Sequence, residues 1–254
     1  MKIATWNVNS LRVRLPHLLD WLAARAPDVM CLQETKCEEA TFPAAQLRAA
    51  GYCSVHHGQR TYNGVAILTR AEALGVCRGI PQFADEQSRV IAADYEGVRF
   101  VSVYVPNGQS VGCDKYAYKL RWFEALAMWL EGELAAHPRL AVMGDFNVAP
   151  EDRDVHDPAA WAGQVLFSDP EKAALRKLTD LGFADAFRLF EQPDKSFSWW
   201  DYRMAAFRRN MGLRIDHVLL SPALAADCRS CAIDVAPRKL ERPSDHAPVV
   251  CEIP

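Results

Sequence analysis

A short apolar run that leads into Gly-Asp-Phe-Asn constrains the fold of this chain more than any other stretch. Residues 140–143 are all apolar, Asp145 and Asn147 follow closely, and Pro150 ends the element. A continuous apolar run of this length, closed by proline, predicts a buried strand. Alternation along a strand would place Asp145 and Asn147 on one face. A carboxylate on a buried strand needs a metal, a cation or hydrogen bonds to offset its desolvation. The alternative is that Asp145 is a strand-end residue that caps a turn.

Polar residues follow other predicted strands in the same way. Asn7 lies in the strand pattern from Lys2 to Asn9, and Glu34 follows the strand predicted over residues 28–33. Further members of this set are Tyr104, Asn107, Asp216, Asp245 and His246. If two sheets are stacked, the strand ends at one edge converge, and these groups should meet. Several carboxylates and carboxamides with few histidines form a hard-oxygen site that suits Mg²⁺ or Mn²⁺ rather than zinc.

The elements between these strand ends predict two similar halves. Helical spacing occurs over residues 15–26, 44–50, 115–136 and 171–181. Strand patterns occur over residues 52–57, 64–69, 89–95, 98–105, 139–147, 196–199, 213–220, 229–235 and 247–253. With no linker or low-complexity tract, residues 1–254 are predicted to form one domain of the α/β (α+β) class, with two packed mixed β-sheets flanked by helices.

The charge distribution points to one local surface for a phosphate-bearing partner. A net charge of −3 offers no global basic field, so nucleic-acid binding would need a local patch. Residues 196–214 interleave aromatic side chains with Arg203, Arg208, Arg209 and Arg214. Arginines neutralise phosphates, while aromatic side chains stack on bases or wedge into a groove. The alternative is a surface hairpin with its aromatics in the core, which leaves the arginines unexplained.

Cysteine usage and hydropathy predict a cytoplasmic protein without a membrane segment. The eight cysteines are scattered, and several lie in apolar strand patterns, as expected for reduced, buried thiols. Cys228 and Cys231 form one CxxC pair with no second pair at zinc-site spacing. No run approaches the roughly 18 apolar residues that span a bilayer. The N-terminal residues enter a strand pattern at once and lack the apolar region of a signal peptide.

Six motifs, in order along nearly the whole chain, resemble those of the exonuclease III family of abasic-site endonucleases and 3′-exonucleases. They are Trp-Asn-Val-Asn at 6–9, Leu-Gln-Glu-Thr-Lys at 32–36, Tyr-Val-Pro-Asn-Gly at 104–108, Gly-Asp-Phe-Asn-Val-Ala-Pro at 144–150, Gly-Leu-Arg-Ile-Asp-His at 212–217 and Ser-Asp-His-Ala-Pro at 244–248. The resemblance implies a four-layered α/β sandwich, in agreement with the two halves above. It also implies Mg²⁺ as cofactor, with Mn²⁺ as a possible substitute.

The resemblance assigns a role to each polar strand end. Glu34 would be the main Mg²⁺ ligand, with Asn7 and Asp245 completing or supporting the metal environment. The other residues expected around the metal are Asp145, Asn147 and His246. Asp145 would either deprotonate the attacking water or protonate the leaving group. Tyr104 and Asn147 would hold the scissile phosphate with Asn107 nearby, and His246, oriented by Asp216, would bind a phosphate oxygen.

The resemblance further implies that the partner is double-stranded DNA with abasic sites or 3′ ends. Its predicted contacts are Trp199, Leu213 and Ile215 in a pocket for the abasic sugar, and Arg203 in a DNA-inserting loop, with Arg208 and Arg214 as further basic contacts. Gln109 stands where some relatives carry a basic DNA contact, and the loop over residues 155–168, which borders the pocket, varies in the family. The balance between abasic incision and 3′-end trimming therefore stays open at this point.

The predicted activity is a DNA-repair phosphodiesterase that incises 5′ to abasic sites and removes 3′-blocking groups or nucleotides, acting as a monomer. One alternative is a 3′-exonuclease and 3′-phosphatase with little abasic activity. A second is a phosphatase of the wider endonuclease/exonuclease/phosphatase superfamily that acts on a non-DNA phosphoester. A third is a binding module that has lost catalysis, which the presence of every predicted catalytic residue disfavours.

Overall fold

The computed structural model describes residues 1–254, and its regular structure consists of twelve strands, six α-helices and five short 3-10 helices. The strands are β1 (Lys2–Asn7), β2 (Val29–Gln33), β3 (Cys53–His57), β4 (Val65–Thr69), β5 (Leu74–Arg78), β6 (Val90–Tyr95), β7 (Val98–Tyr104), β8 (Leu140–Asp145), β9 (Ala184–Asp185), β10 (Asp216–Leu220), β11 (Ser230–Ile233) and β12 (Val249–Glu252). The helices are α1 (Leu11–Arg25), α2 (Ala44–Ala49), α3 (Asp114–Ala136), α4 (Pro158–Trp161), α5 (Asp169–Asp180) and α6 (Pro222–Ala225).

The strands form two six-stranded sheets of similar design. The first sheet has the order β11-β12-β1-β2-β4-β3, and the second has the order β5-β6-β7-β8-β10-β9. Each sheet contains a central parallel pair, β1 with β2 and β7 with β8, and antiparallel neighbours on both sides of it. Both sheets are therefore mixed, and the carboxyl ends of each parallel pair lie at one edge.

Three apolar cores separate four layers. Residues of both sheets, such as Cys31 of β2 and Met143 of β8, pack together in the core between the sheets. Leu126 of α3 and Leu178 of α5 pack on the outer face of the second sheet, and Leu18 of α1 packs on the outer face of the first. Alternate residues of each strand point to opposite faces of its sheet, and burial of their apolar side chains is the main driving force for this arrangement. The predicted four-layered sandwich is confirmed.

Several element boundaries differ from the prediction. Helix α1 begins at Leu11 rather than near residue 15 and accommodates Pro16, which the sequence pattern had placed near the start of the helix. Residues 196–199 form no strand, and Trp199 makes only isolated bridges to Leu213 and His246. Strand β5 was not predicted, because its mostly exposed edge-strand residues show no apolar alternation. None of the helices combines the length and apolar character that a membrane crossing requires.

Candidate active site

The predicted polar strand ends meet at one edge of the core between the sheets. Asp145 shares a face of β8 with Met143, and Asp216 shares a face of β10 with Val218; Met143 and Val218 belong to that central core. In the register of the second sheet, Asp145 lies between Tyr104 of β7 and Asp216 of β10. Period-two alternation therefore delivers all three polar side chains to the same side of one sheet.

Asn7 links the carboxylates that the two sheets contribute. Its Nδ2 donates to Oε1 of Glu34 at 2.9 Å and to Oδ2 of Asp145 at 2.9 Å. Ligand atoms of Glu34, Asp145 and His246 all lie within 4.8 Å of one another. Two carboxylates at this spacing, one of them half-buried, fit a hard divalent cation such as Mg²⁺. Direct ligation by Asn7 stays a prediction, since its amide here bridges the two acids.

The backbone around Asp145 and Glu34 has unusual local geometry. A Cβ atom at Gly144 would lie 1.9 Å from the carbonyl oxygen of Val103, so only glycine allows β8 to approach β7 this closely. Glu34 itself has a φ of 50°, in the left-handed region that side chains other than glycine adopt at a cost. Such conformations persist only where the surrounding contacts hold them, as here at the end of β2.

Asp145 and His246 form a buried pair with shifted pKa values. Burial raises the pKa of Asp145 to about 7, although the charge of His246 opposes the shift. Burial alone would lower the pKa of His246, but the carboxylates of Asp216 and Asp145 outweigh it and raise this pKa to about 10. Nδ1 of His246 lies 2.9 Å from Asp216, and its Nε2 lies 3.7 Å from Asp145. His246 is therefore an imidazolium at neutral pH, oriented by Asp216.

Asn147 reaches the site by a different route from the one predicted. Strand β8 ends at Asp145, and Asn147 has a left-handed φ of 51°, so strand alternation does not set its direction. Hydrogen bonds do: its backbone N–H donates to Oδ1 of Asp145 at 2.9 Å, and Nδ2 of Asn107 donates to its Oδ1 at 3.2 Å. Burial and the charge of Glu34 raise the pKa of Tyr104 well above its usual range, which keeps its hydroxyl a neutral donor.

Asp245 lies beside this cluster, and two polar residues outside the predicted set contact it or Glu34. Asp245 accepts hydrogen bonds from Asn9 at 2.9 Å and from the indole of Trp199 at 3.0 Å. Lys36 lies 2.8 Å from Glu34 and donates to Oδ1 of Asn9 at 2.6 Å. Both residues could have been predicted from the sequence, because Asn9 lies two residues after Asn7 and Lys36 lies two residues after Glu34.

The predicted pocket for an abasic sugar is covered by apolar side chains. Leu213 and Ile215 are 0% and 1% exposed and pack with Leu166 and Phe167. Trp199, which was predicted to line the pocket with them, is only partly buried and packs against the same cluster. Leu166 and Phe167 belong to the segment between α4 and α5. This segment lies in the loop over residues 155–168, which the family resemblance identified as variable.

The three predicted DNA-contacting arginines occupy very different environments. Arg203 and Arg208 are exposed, and Arg203 pairs with Asp201 at 2.6 Å. Arg214 is only 1% exposed and binds Asp154 at 2.6 Å and Asp185 at 2.8 Å. A DNA contact of Arg214 stays a prediction, and its burial argues against it: the guanidinium already has two carboxylate partners.

Comparisons with known proteins agree with this arrangement. The family described as the Endonuclease/Exonuclease/phosphatase family matches residues 4–246. The chain is 37% identical to Exodeoxyribonuclease III of Haemophilus influenzae, over 99% of each protein. The 3′ phosphatase NExo from Neisseria, solved with a product DNA hairpin, superposes with a TM-score of 0.98 at 45% identity, covering 100% of this chain and 99% of that one.

A second solved relative is named as an endonuclease rather than as a 3′ phosphatase. An AP endonuclease from Archaeoglobus fulgidus superposes with a TM-score of 0.96 at 38% identity, again covering 100% of this chain and 99% of the other. The similarities extend over the full length of the chain. This chain therefore belongs to the endonuclease/exonuclease/phosphatase family.

Proposed function

We propose that this chain is a Mg²⁺-dependent DNA-repair nuclease that hydrolyses phosphoester bonds in duplex DNA at abasic sites and at 3′ ends. The observation that carries the proposal is the meeting of Glu34, Asp145 and His246 within 4.8 Å. An acid for a metal, a second acid with a raised pKa and a buried imidazolium are groups that metal-assisted phosphoester hydrolysis can use. Relatives named as exodeoxyribonuclease III, AP endonuclease and 3′ phosphatase support DNA as the substrate.

Glu34 would hold the metal, with Asn7 and Asp245 as supporting groups. Asp145, Asn147 and His246 are the remaining predicted neighbours of the ion. When bound, Mg²⁺ supplies Lewis-acid neutralisation of the phosphate charge, and Mn²⁺ is expected to substitute because it accepts the same oxygen ligands. The half-buried carboxylate of Glu34, held between Asn7 and Lys36, is open to such an ion on its solvent side.

The chain's own groups would orient the phosphate and move the proton. His246 carries its charge on a ring whose Nδ1 is held by Asp216, which leaves Nε2–H to donate to a phosphate oxygen. Tyr104 would donate to another oxygen, and Asn147 would redirect to the phosphate the N–H that here donates to Asp145 at 3.3 Å, so that the phosphorus is held in line with the attacking water. With a pKa near 7, Asp145 exchanges a proton readily at neutral pH, as acceptor from the water or donor to the leaving oxygen.

One observation favours the 3′-end activities over abasic incision. Leu213 and Ile215, assigned to an abasic-sugar pocket, are buried in an apolar cluster that includes Leu166 and Phe167. An internal sugar that flips out of a duplex needs that space, whereas a terminal phosphate or nucleotide needs only the phosphate-binding groups. We therefore propose that 3′-phosphatase and 3′-exonuclease activities exceed abasic incision, and that the protein acts as a monomer.

A single-turnover comparison tests both proposals. Matched duplexes carrying an internal abasic analogue, a 3′-phosphate or no damage are incubated with Mg²⁺, with Mn²⁺ or with EDTA. The expected result is EDTA-sensitive hydrolysis, fastest on the 3′-phosphate and at least tenfold slower on the abasic duplex. Hydrolysis of an inositol phosphate with no action on DNA would contradict the nuclease proposal, and faster abasic incision would contradict the 3′-end preference.

A further inference from the structure

A buried ion pair under the active-site loops is not used by the proposed chemistry. Lys119 of α3 and Glu171 of α5 are both 0% exposed, and Nζ lies 2.5 Å from Oε1. Burial acts to lower the pKa of Lys119, and the charge of Glu171 acts in the opposite direction. Because burying two charges is costly, such a pair contributes little net stability, and a positional role is one reason for its retention that is attested in other proteins.

Lys119 connects both phosphate-side asparagines. Its ammonium donates to the carbonyl oxygen of Asn147 at 2.7 Å and to that of Asn107 at 3.1 Å, in addition to Glu171. These three bonds use all three donors of the ammonium group. Asn147 has a left-handed φ of 51°, so its backbone depends on such contacts to keep its carboxamide at Asp145.

Glu171, the second member of the pair, binds the backbone of residues 166–168, the segment next to the predicted sugar pocket. Its Oε1 accepts from the backbone N–H of Leu166 at 3.0 Å, and its Oε2 accepts from the N–H of Ser168 at 3.1 Å and from the hydroxyl of Ser168. Leu166 has a φ of 76° and belongs to the same buried apolar cluster as Leu213. One carboxylate thus holds a strained turn in the position that closes the pocket.

We propose that the Lys119–Glu171 pair is a positioning device that couples the phosphate-binding asparagines to the cover of the apolar pocket. The pair thereby sets both the rate of phosphate hydrolysis and the choice between a 3′ end and an internal abasic sugar. This inference rests on the proposed nuclease function and adds a specificity determinant to it. Neither residue touches the substrate, so both act through the backbone groups that they hold.

The rate effect is tested with Lys119→Met, Lys119→Arg and the double variant Lys119→Met/Glu171→Gln. We expect Lys119→Met to lower kcat on the 3′-phosphate duplex at least tenfold, with KM changed less than threefold, because the phosphate binds but is misaligned. Lys119→Arg should recover part of this loss. The double variant removes both charges, so it should regain most of the thermal stability lost in Lys119→Met without regaining kcat.

The specificity effect is tested with Glu171→Gln, which keeps the side-chain shape but weakens the bonds to Leu166 and Ser168. The ratio of abasic incision to 3′-phosphate removal should rise at least fivefold as the cover loosens. The matched control is the ion pair of Arg99 with Glu133, at 2.8 Å, which joins β7 to α3. In register, Arg99 pairs with Leu140 at the start of β8, at the opposite end from Asp145. Glu133→Gln should leave kcat and the ratio unchanged.

The outcomes separate this inference from the proposed function. An inactive wild-type protein would contradict the nuclease function, and the relative affinity of wild type and Glu171→Gln for the abasic and 3′-phosphate duplexes in EDTA would then decide the role of the pair. An active wild type in which Lys119→Met and Glu171→Gln behave like Glu133→Gln would overturn the inference alone. A kcat that recovers with thermal stability in the double variant would also overturn it, since the pair would then be purely structural.

Discussion

Two buried charged clusters lie back to back on the same strand, and only one of them has the character of an active site. In β10, Asp216 faces the core between the sheets and holds His246, while the next residue, His217, faces the outer side and contacts Arg214 at 2.9 Å. Nε2 of His217 lies 2.8 Å from the carbonyl oxygen of Val148, so this ring is enclosed by fixed partners. Adjacent residues on a strand thus serve two unrelated clusters.

The clusters differ in charge balance. On the outer side, Asp154 and Asp185 face the cations of Arg214 and Arg188, and both carboxylates are matched. On the inner side carboxylates exceed cations, with Glu34, Asp145, Asp216 and Asp245 against Lys36 and His246. A balanced buried cluster is complete as it stands, whereas an excess of buried negative charge calls for an additional cation. The charge balance therefore indicates a structural role for the outer cluster and a metal-binding role for the inner one.

The largest expected effect comes from removing an acid of the inner cluster. Glu34→Ala and Asp145→Asn should each lower EDTA-sensitive cleavage by roughly a thousandfold or more, because charge stabilisation and proton transfer at the reacting phosphate are lost. The measurement is single-turnover cleavage of 3′-phosphate and abasic duplexes in Mg²⁺, after circular dichroism has shown that each variant is folded. Rates near wild type in either variant would reverse the assignment of the two clusters.

A substitution in the outer cluster should lower the free energy of unfolding and leave the cleavage rate nearly unchanged. Arg214→Met leaves Asp154 and Asp185 buried without their main partner, and breaking a buried pair in this way typically costs about 3–5 kcal/mol. Urea unfolding should show this loss, while cleavage per folded molecule stays within a few-fold of wild type. A stable Arg214→Met protein with strongly reduced DNA affinity would instead restore Arg214 as a DNA contact.

The charge on His246 predicts a pH dependence of stability that arises in the inner cluster. Since the folded-state pKa is raised from 6.5 to about 10, the stabilisation from the charged ring is fully present below about pH 6.5 and is lost as the pH rises through about 10. The difference in unfolding free energy between wild type and His246→Gln, measured in EDTA from pH 6 to pH 10, should therefore shrink steadily. A difference that is constant over this range would mean that Asp216 and Asp145 do not hold a proton on the ring.

The smallest expected effect concerns Arg203, an exposed arginine of the aromatic- and arginine-rich segment over residues 196–214. Arg203 is 86% exposed, so Arg203→Ala should weaken duplex binding only a few-fold and reduce the slope of log affinity against log salt by about one. The matched control is Lys177→Ala, since Lys177 is also exposed and paired, with Glu124 across the outer helices. Equal salt slopes for wild type and Arg203→Ala would remove Arg203 from the DNA-contacting surface.

Much of the site's framework follows from local pattern. Strand patterns, among them the continuous apolar run over residues 140–143, predicted the strands that carry Asn7, Tyr104 and Asp145, and alternation along a strand places such residues on the face of the sheet that meets the other sheet. The two-sheet architecture followed because each half supplied strands with one face to bury and helices to cover the other. Strand β5 and the start of α1 escaped prediction, because exposed edge residues and an internal proline weaken the periodic signal.

Burial of charge was decided only by the tertiary structure. In sequence, Arg203 and Arg214 belong to one arginine-rich segment, yet one is exposed and the other is sealed between two aspartates from distant parts of the chain. Lys119 and Glu171 look like ordinary polar positions on amphipathic helices until α3 packs against α5. Periodicity depends on neighbours along the chain and is therefore present in the sequence, whereas desolvation and ion pairing depend on what packs over a side chain after folding.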